Sequence, residues 1–496
     1  MSELKNLNIK DEIEKYVNHM CKHHDRLNVR DGKVIHDAIW GTRRFKDYEV
    51  ALLDIPIIQR LRQIHQTGLA YLTFPSASHT RFEHTLGVTV QVSKLLEALR
   101  GKEENKSYIN EDLIDTLRIS AIFHDAGHTP FSHAIEEIVE SYPEIVKFKK
   151  DNHDKFGTAK AHEIFSAHIL QSDRVRNLIK ECVKGKAIID IDLAAASIIG
   201  HSPDESDYYK IQVLNGPFDA DKLDYVHRDG EASGLPLRVD LDRLWYSIDV
   251  SDITLEGKKS KRLTVDYRGM TSLEQILFTK MILFTTIYQH HKVRASECML
   301  RGIIEYAKNK EIQICGHSLN SPVDFLYITD ADIFGNNALL KDNNLHNLIH
   351  NLEYRRLLKR AIIISNNTIK KDSVGGYNKL LNIKDYKFLR ELANEIWDGN
   401  KDCLKEEVWI DLPNRPDFKE ADKAFITPLP GKKPITLSEF FPVGQWSKQY
   451  SFSRWRGHVF APEKCKKEIA ENSKKIFKRE FGIKFEPEAT DLCHNN

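Results

Sequence analysis

The sequence has little cysteine, and what it has is scattered: seven in 496 residues, at positions 21, 182, 298, 315, 403, 465 and 493, with no Cys-x-x-Cys pair. An odd, dispersed set gives neither a disulfide frame nor a thiolate zinc site, and it points to a reducing, intracellular and cytoplasmic setting. No apolar run approaches the roughly 18 residues that a membrane span needs, and the polar start MSELKNLNIKDEIEK does not read as a signal peptide. Excess charge of either sign is missing as well, since 73 Lys and Arg oppose 72 Asp and Glu. Proteins that hold nucleic acid or a membrane surface usually carry a strong basic bias, so this balance speaks against both. With 41% hydrophobic and 29% charged residues, disorder, collagen and low complexity are excluded. Phosphate loops, Gly-x-Ser-x-Gly elbows, dinucleotide-binding glycine fingerprints and internal repeats are absent too. What remains is a soluble globular enzyme of two or three packed units.

The periodicity predicts a mostly α fold: a polar helical leader over 1–30, a helical core over 31–310, and a smaller α+β lobe over 311–496. Helices are expected from Asp54-Ile55-Pro56 towards Gly68, over 82–100, from Asn110 to about residue 123, and over 131–140, 162–170 and 271–292. Strands are expected at 262–267, 324–329, 408–412 and 458–461, and a loop at 366–378 around Gly375-Gly376. His19, Cys21, His23 and His24 read as a solvated face of the leader. So does the basic run 464–484, which is only a weak candidate for nucleic-acid contact.

Chemistry concentrates in histidine and aspartate at helix ends. His84 follows Arg81-Phe82-Glu83, His124-Asp125 comes forty residues later, and Asp221 lies in Phe218-Asp219-Ala220-Asp221-Lys222-Leu223-Asp224-Tyr225. Two imidazoles and two carboxylates make a mixed N/O donor set that suits a divalent cation: Mn, Fe, Mg or Zn. His133 and Glu136 stand three apart, so on a helix the carboxylate reaches the imidazole. An acidic partner is expected to raise the imidazole pKa and ready it for proton transfer. His128 precedes this pair, and His162-Glu163 opens a further helix that can join it.

The order His84, His124-Asp125, Asp221 resembles the signature of the HD phosphohydrolase superfamily. The text around it is more specific. Gln59-Arg60-Leu61-Arg62, the run Phe74 to His84 (FPSASHTRFEH) and the run His124 to His133 (HDAGHTPFSH) resemble the deoxynucleoside triphosphate triphosphohydrolases. These include bacterial dGTP triphosphohydrolases and a vertebrate member with a SAM domain, which is not visible here. The likeness is strong from Lys33 to about Arg294 and fainter beyond, through Tyr354-Arg355-Arg356-Leu357-Leu358.

The resemblance implies an HD-type helical core and hydrolysis of dNTPs to deoxynucleoside and tripolyphosphate. It implies that His84, His124, Asp125 and Asp221 hold the metal, and that His133, oriented by Glu136, handles the proton. His128 and His162 would bear on the same phosphate, and Arg81, Lys222 and Tyr225 would clamp the triphosphate. Lys280 stands where the vertebrate member has a phosphate-binding arginine. Gln66 and Asp229 match residues that bind the 3′-hydroxyl, and Tyr288 matches a tyrosine that excludes a 2′-hydroxyl. Thr67 replaces an apolar residue, which leaves the preferred base open.

Regulation is implied as well. Lys33, Val34, Asp54, Gln59 and Arg62 match residues that read a guanine effector, GTP or a dNTP, in an enzyme assembled as a homo-oligomer, a dimer or tetramer. His36, Thr286 and His291 depart from the adjoining effector pocket. The plain alternative is that Asp54 and Arg62 pair across a helix start. Two other functions compete with the main one: an HD phosphodiesterase or nuclease acting on cyclic nucleotides or DNA, and a sensor with a vestigial site. Depletion of dNTPs against viruses or phages is a role that the resemblance carries with it.

Overall fold

The computed structural model describes residues 8–24, 31–202, 204–335, 339–415, 420–428 and 432–493. Its centre is the helix Arg81–Arg100, buried on nearly every side by Phe82, Leu86, Val88, Val92, Leu95 and Leu99. Thr80 starts this helix and Glu83 folds back to accept the Thr80 N–H at 2.6 Å, a capping box that fixes where the first turn begins. Glu111–Phe123 packs along it, started by Asn110, whose side chain accepts from Leu113 N at 2.9 Å. Ala161–Gln171, Ile191–Ile199 and Ala220–Ala232 complete the helical shell, the last opened by Asp219 accepting from Lys222 N. The mostly α expectation therefore holds.

Among the described residues, three small sheets surround the helices. Lys33–Asp37 and Gly41–Phe45 form one antiparallel hairpin. Ile248–Leu255 and Lys258–Asp266 form another, extended by Phe425–Thr427 running parallel to the second strand and then by Ile435–Thr436. In the third, Gly457–Ala461 lies between Lys359–Ile364 and Trp409–Asp411. A separate apolar cluster, including Ile362, Trp455, Val459, Ile469 and Phe477, fills the space between that sheet and the helix Lys466–Phe481. Among the described residues, no helix is long and apolar enough to cross a membrane.

Several local readings change. The leader helix Ile9–Met20 buries Ile9, Ile13, Tyr16 and Val17, and Cys21 beside it is fully buried rather than solvated. Residues 1–7 and 25–30 of the leader lie outside the described residues. The strand expected at 324–329 is instead the 3-10 turn Pro322–Tyr327, because Pro322 presets the first turn and Ser321 with Asp324 makes a capping box. The loop expected at 366–378 contains the start of a helix, Val374–Leu381. Gly376 is tolerated there for lack of room: a Cβ would stand 1.9 Å from the Phe481 carbonyl oxygen. The single helix expected over 271–292 is Met270–Leu283 followed by a π-helical turn, Phe284–Tyr288, and a new helix from His291. The basic helix Lys466–Phe481 buries Lys466 against Glu463 and pairs others of its charges at the surface, Arg479 with Glu395 and Lys474 with Glu471.

One buried ion pair locks the core. Arg118 donates through Nη2 to Glu49 Oε2 at 2.7 Å, and Glu49 is fully buried. Removing one member leaves an uncompensated charge, which is costlier than losing the pair. Arg118→Ala should cost about 3–5 kcal/mol in a denaturant titration, and an apolar double replacement of Arg118 and Glu49 should cost less.

Candidate active site

His84 lies one turn into its helix and is completely buried. Its Nδ1 is 2.7 Å from Asp224 Oδ2, and Asp224 is in turn held by Arg228 Nε at 2.8 Å and by the indole N–H of Trp40. Arg228 also reaches Asp37 at 2.9 Å. His124 makes the matching arrangement at the end of the next helix, its Nδ1 being 2.7 Å from the Ala121 carbonyl. With both Nδ1 atoms engaged as donors, both Nε2 atoms present lone pairs, and they face each other at 3.4 Å. Asp221 Oδ1 comes within 2.9 Å of His84 Nε2, and Asp125 lies 3.4 Å from His124 Nε2 and 3.7 Å from His84 Nε2.

The electrostatics agree with that geometry. Burial opposes charge on His84, yet the hydrogen bonds that its ring donates to the Asp221 and Asp224 carboxylates when protonated raise its pKa to about 10. Burial would lift the pKa of Asp125, but Arg81, His124 and His128 hold it well below the usual carboxylate range. Asp221 is likewise lowered, against burial, by His84 and His124. Two ionised carboxylates and two facing lone pairs are a place of strongly negative potential. A divalent cation fits it, taking the position that a proton would otherwise fill. His84, His124 and Asp221 bring their donor atoms within 4.8 Å of one another.

A second cluster adjoins the first. His128 and His162 stack at 3.9 Å between centroids, and His133 stands 5.0 Å and 5.3 Å from them. Glu136 divides its carboxylate between His133 Nδ1 at 3.0 Å and His162 Nδ1 at 2.6 Å, with Lys160 Nζ at 3.7 Å. The expected rise in the His133 pKa does not occur. Desolvation and Lys160 outweigh a carboxylate that is already shared, and the value falls to about 4. His133 thus stands as a neutral imidazole at pH 7.

His133 also sits on a 3-10 turn, Ser132–Ile135, behind two left-handed residues, Phe131 (φ 54°) and Ser132 (φ 56°). Neither is glycine, so each costs roughly 1–2 kcal/mol. Asp330 holds this backbone: Oδ1 accepts from Phe131 N at 2.6 Å and Oδ2 from His65 N at 2.8 Å. Ser132 Oγ donates to the His65 carbonyl and accepts from Arg81 Nε. Asp330→Ala should release the turn and lower kcat about 10- to 100-fold with little change in KM, a split that steady-state kinetics reads directly.

Both clusters open on one cavity of about 570 Å³, which Gln66, Arg81, Lys222, Tyr225, Asp229, Lys280 and Tyr288 also line. His84 is sealed behind it. Arg81 Nη1 holds Asp125 Oδ2 at 2.8 Å, and Lys222 Nζ holds Asp219 Oδ2 at 2.6 Å and the Gly216 carbonyl at 2.9 Å, so each is partly neutralised. Asp229 accepts the Tyr288 hydroxyl at 2.5 Å, and burial with Asp229 alongside keeps that phenol protonated. The π-helical turn is what swings Tyr288 to this wall. Gln66 offers an Oε1 that is buried without a hydrogen bond.

Lys33, Val34, Asp54, Gln59 and Arg62 lie away from this cavity. Lys33 Nζ meets Asp54 at 3.7 Å, and Gln59 accepts from Arg62 Nε at 2.8 Å while donating to the Leu53 carbonyl. Asp54 and Arg62 therefore have other partners than each other. Val34 stands 63% exposed on the first hairpin. Sequence reasoning missed Asp224, His79 and Asp330. Asp224 gave a signal, three residues beyond Asp221 on the same helix face, and His79 another, within the run Phe74 to His84; Asp330 gave none.

Residues 81–226 match the family described as HD domain, and residues 239–484 match the one described as HD associated region. An uncharacterised protein of Methanocaldococcus jannaschii is 27% identical over 467 residues, 93% of this chain and 87% of that one. Deoxynucleoside triphosphate triphosphohydrolase SAMHD1 of Bos taurus is 28% identical over 465 residues, 87% of this chain and 73% of its own. The SAMHD1 homolog of Dictyostelium discoideum is 26% identical over 356 residues, 70% of this chain and 63% of its own. With an HD domain laid over the paired His and Asp cluster and an HD associated region behind it, the chain belongs to the HD superfamily and is similar to its deoxynucleoside triphosphate triphosphohydrolases.

Proposed function

We propose that the protein hydrolyses dNTPs to deoxynucleoside and tripolyphosphate. One juxtaposition carries this reading: His124, Asp125 and Asp221 of the His/Asp donor set line the same cavity as Gln66, Asp229 and Tyr288. His84, His124, Asp125 and Asp221 would hold a divalent cation (Mn, Fe, Mg or Zn), which supplies Lewis-acid polarisation of phosphate and water. Arg81, Lys222, Tyr225 and Lys280 position the triphosphate, and His128 and His162 lie against the phosphate nearest the sugar. His133 is neutral in the free protein, and a polyanion placed beside it raises its pKa. Substrate binding therefore loads the proton that the departing 5′-oxygen needs, while Glu136 keeps the ring aimed.

Tyr288 stands beneath the sugar where a 2′-hydroxyl would project. Tyr288→Ala should raise kcat/KM for ribonucleotides relative to dNTPs by about tenfold or more, measured by paired substrate assays. A phosphodiesterase or nuclease sharing the cation site has no need of this gate and would be indifferent to the change. Nucleotide activation through the Lys33–Asp54 and Gln59–Arg62 surface, with assembly into a homo-oligomer, belongs to the same reading, as does dNTP depletion in antiviral or antiphage defence. The deciding experiment is product analysis with Mn²⁺ or Mg²⁺, each dNTP alone and then in pairs with GTP. Deoxynucleoside with tripolyphosphate supports the reading; monophosphates, or no product, overturn it. Rates and sedimentation unchanged by any added nucleotide would remove the regulatory part alone.

A further inference from the structure

Asp229 is oriented by more than Tyr288. His79 lies in the loop just before the Thr80 cap with its side chain only 8% exposed, and its Nε2 is 2.8 Å from Asp229 Oδ1. Its backbone carbonyl accepts from Gln66 N at 3.0 Å. One residue thus touches both members of the proposed 3′-hydroxyl pair, by backbone on one side and by imidazole on the other. The second ring nitrogen, Nδ1, is buried without a hydrogen bond, so the ring has no other polar task. Since Asp229 is an acceptor, Nε2 carries the hydrogen and Nδ1 the lone pair. Asp229 then has one oxygen pinned by His79 and the other by Tyr288 at 2.5 Å. Its carboxylate plane is fixed while lone pairs on both oxygens stay open to a donor in the cavity.

We propose that His79 is a positioning residue for sugar recognition, setting the separation of Gln66 and Asp229 so that both meet a 3′-hydroxyl. This rests on reading the cavity as a dNTP site. Without the imidazole donor, Asp229 is held from one side only, by a phenol whose own placement depends on the π-helical turn. The carboxylate can then rotate away, and the benefit of a 3′-hydroxyl is lost while phosphate contacts stay in place.

The test compares the best-hydrolysed dNTP with its 2′,3′-dideoxy counterpart, using the full chain with GTP held constant. Wild type should favour the 3′-hydroxyl substrate. His79→Phe keeps a ring and removes the donor, and should lower kcat/KM on the dNTP about tenfold, mainly through KM, while the dideoxy substrate changes less than twofold. His79→Gln places an amide donor near the Nε2 position and should restore most of the preference. Equal losses on both substrates, or no loss on either, would overturn the proposal. If His79→Phe shows no cooperative thermal transition, His79→Asn carries the same comparison, its amide being too short to reach Asp229. Absence of dNTP hydrolysis by wild type sinks the reading of the cavity itself, and does so before any substitution is made.

Discussion

Replacing His84 or Asp221 with alanine should abolish turnover and leave the fold standing. His84 is the innermost donor, fixed from behind by Asp224, so nothing else in the cavity can reach its place. Its loss does not strand a charge, because Arg228 still neutralises Asp224 at 2.8 Å. Asp221 is on the first turn of its helix with a side chain 38% exposed, and its removal leaves the helix cap at Asp219 untouched. Changes behind a metal ligand typically cost 10- to 100-fold, so loss of a ligand should cost at least about 10³-fold. Asp224→Asn, which keeps the shape and removes the charge that stands behind His84 and faces Arg228, should fall in the smaller range. Product formation, metal content and a thermal melt on the same preparations test this together. Near-normal turnover in either alanine variant would remove the cation assignment.

Gly127→Ala should also damage turnover, about tenfold less severely and by a different route. A Cβ there would stand 2.4 Å from the His162 carbonyl oxygen, 2.6 Å from Phe165 Cβ and 2.6 Å from Ser166 N. Two of these are backbone atoms, so no side chain can turn aside. Either the helix Ala161–Gln171 retreats or the segment after Asp125 does, and both movements pull His162 from Glu136. The cost should be at least about 2 kcal/mol in a denaturant titration. An ångström of misplacement at the histidine cluster should reduce kcat by about 10²-fold. Full stability with full activity would mean that the two segments are not in such close approach.

The clustering of His84, His124, Asp125 and Asp221, the proposed cation donors, was legible because histidine and aspartate fall at helix ends in a set order, and that of His133 with Glu136 because a spacing of three puts them on one side. The state of His133 was not legible. It depends on how much protein surrounds the ring and on Glu136 serving His162 as well, and neither is written locally. The π-helical turn at Phe284–Tyr288 keeps an apolar pattern that a plain helix would share, so its break went unseen. His79 with Asp229, 150 residues apart, and Asp330 with Phe131, 199 apart, are products of tertiary folding: His79 and Phe131 lie in recognisable runs, but nothing in those runs names the distant partner. The strand expected over 324–329 failed because a proline and a capping serine outweighed an apolar run.

The clamp on Phe131 divides the inheritance of the site. The proposed cation donors lie within residues 81–226, but the loop that aims His133 is gripped from outside that stretch. Asp330 grips it at Phe131, and Arg60 grips it at the His128 carbonyl while bridging to the carbonyls of Phe325 and Ile328. A chimera that exchanged only residues 81–226 between relatives would keep each of those donors, yet its loop would meet a stranger's Arg60 and Asp330. Drift in the 322–330 turn, far from any recognisable motif, therefore reads directly into how the histidine cluster is aimed.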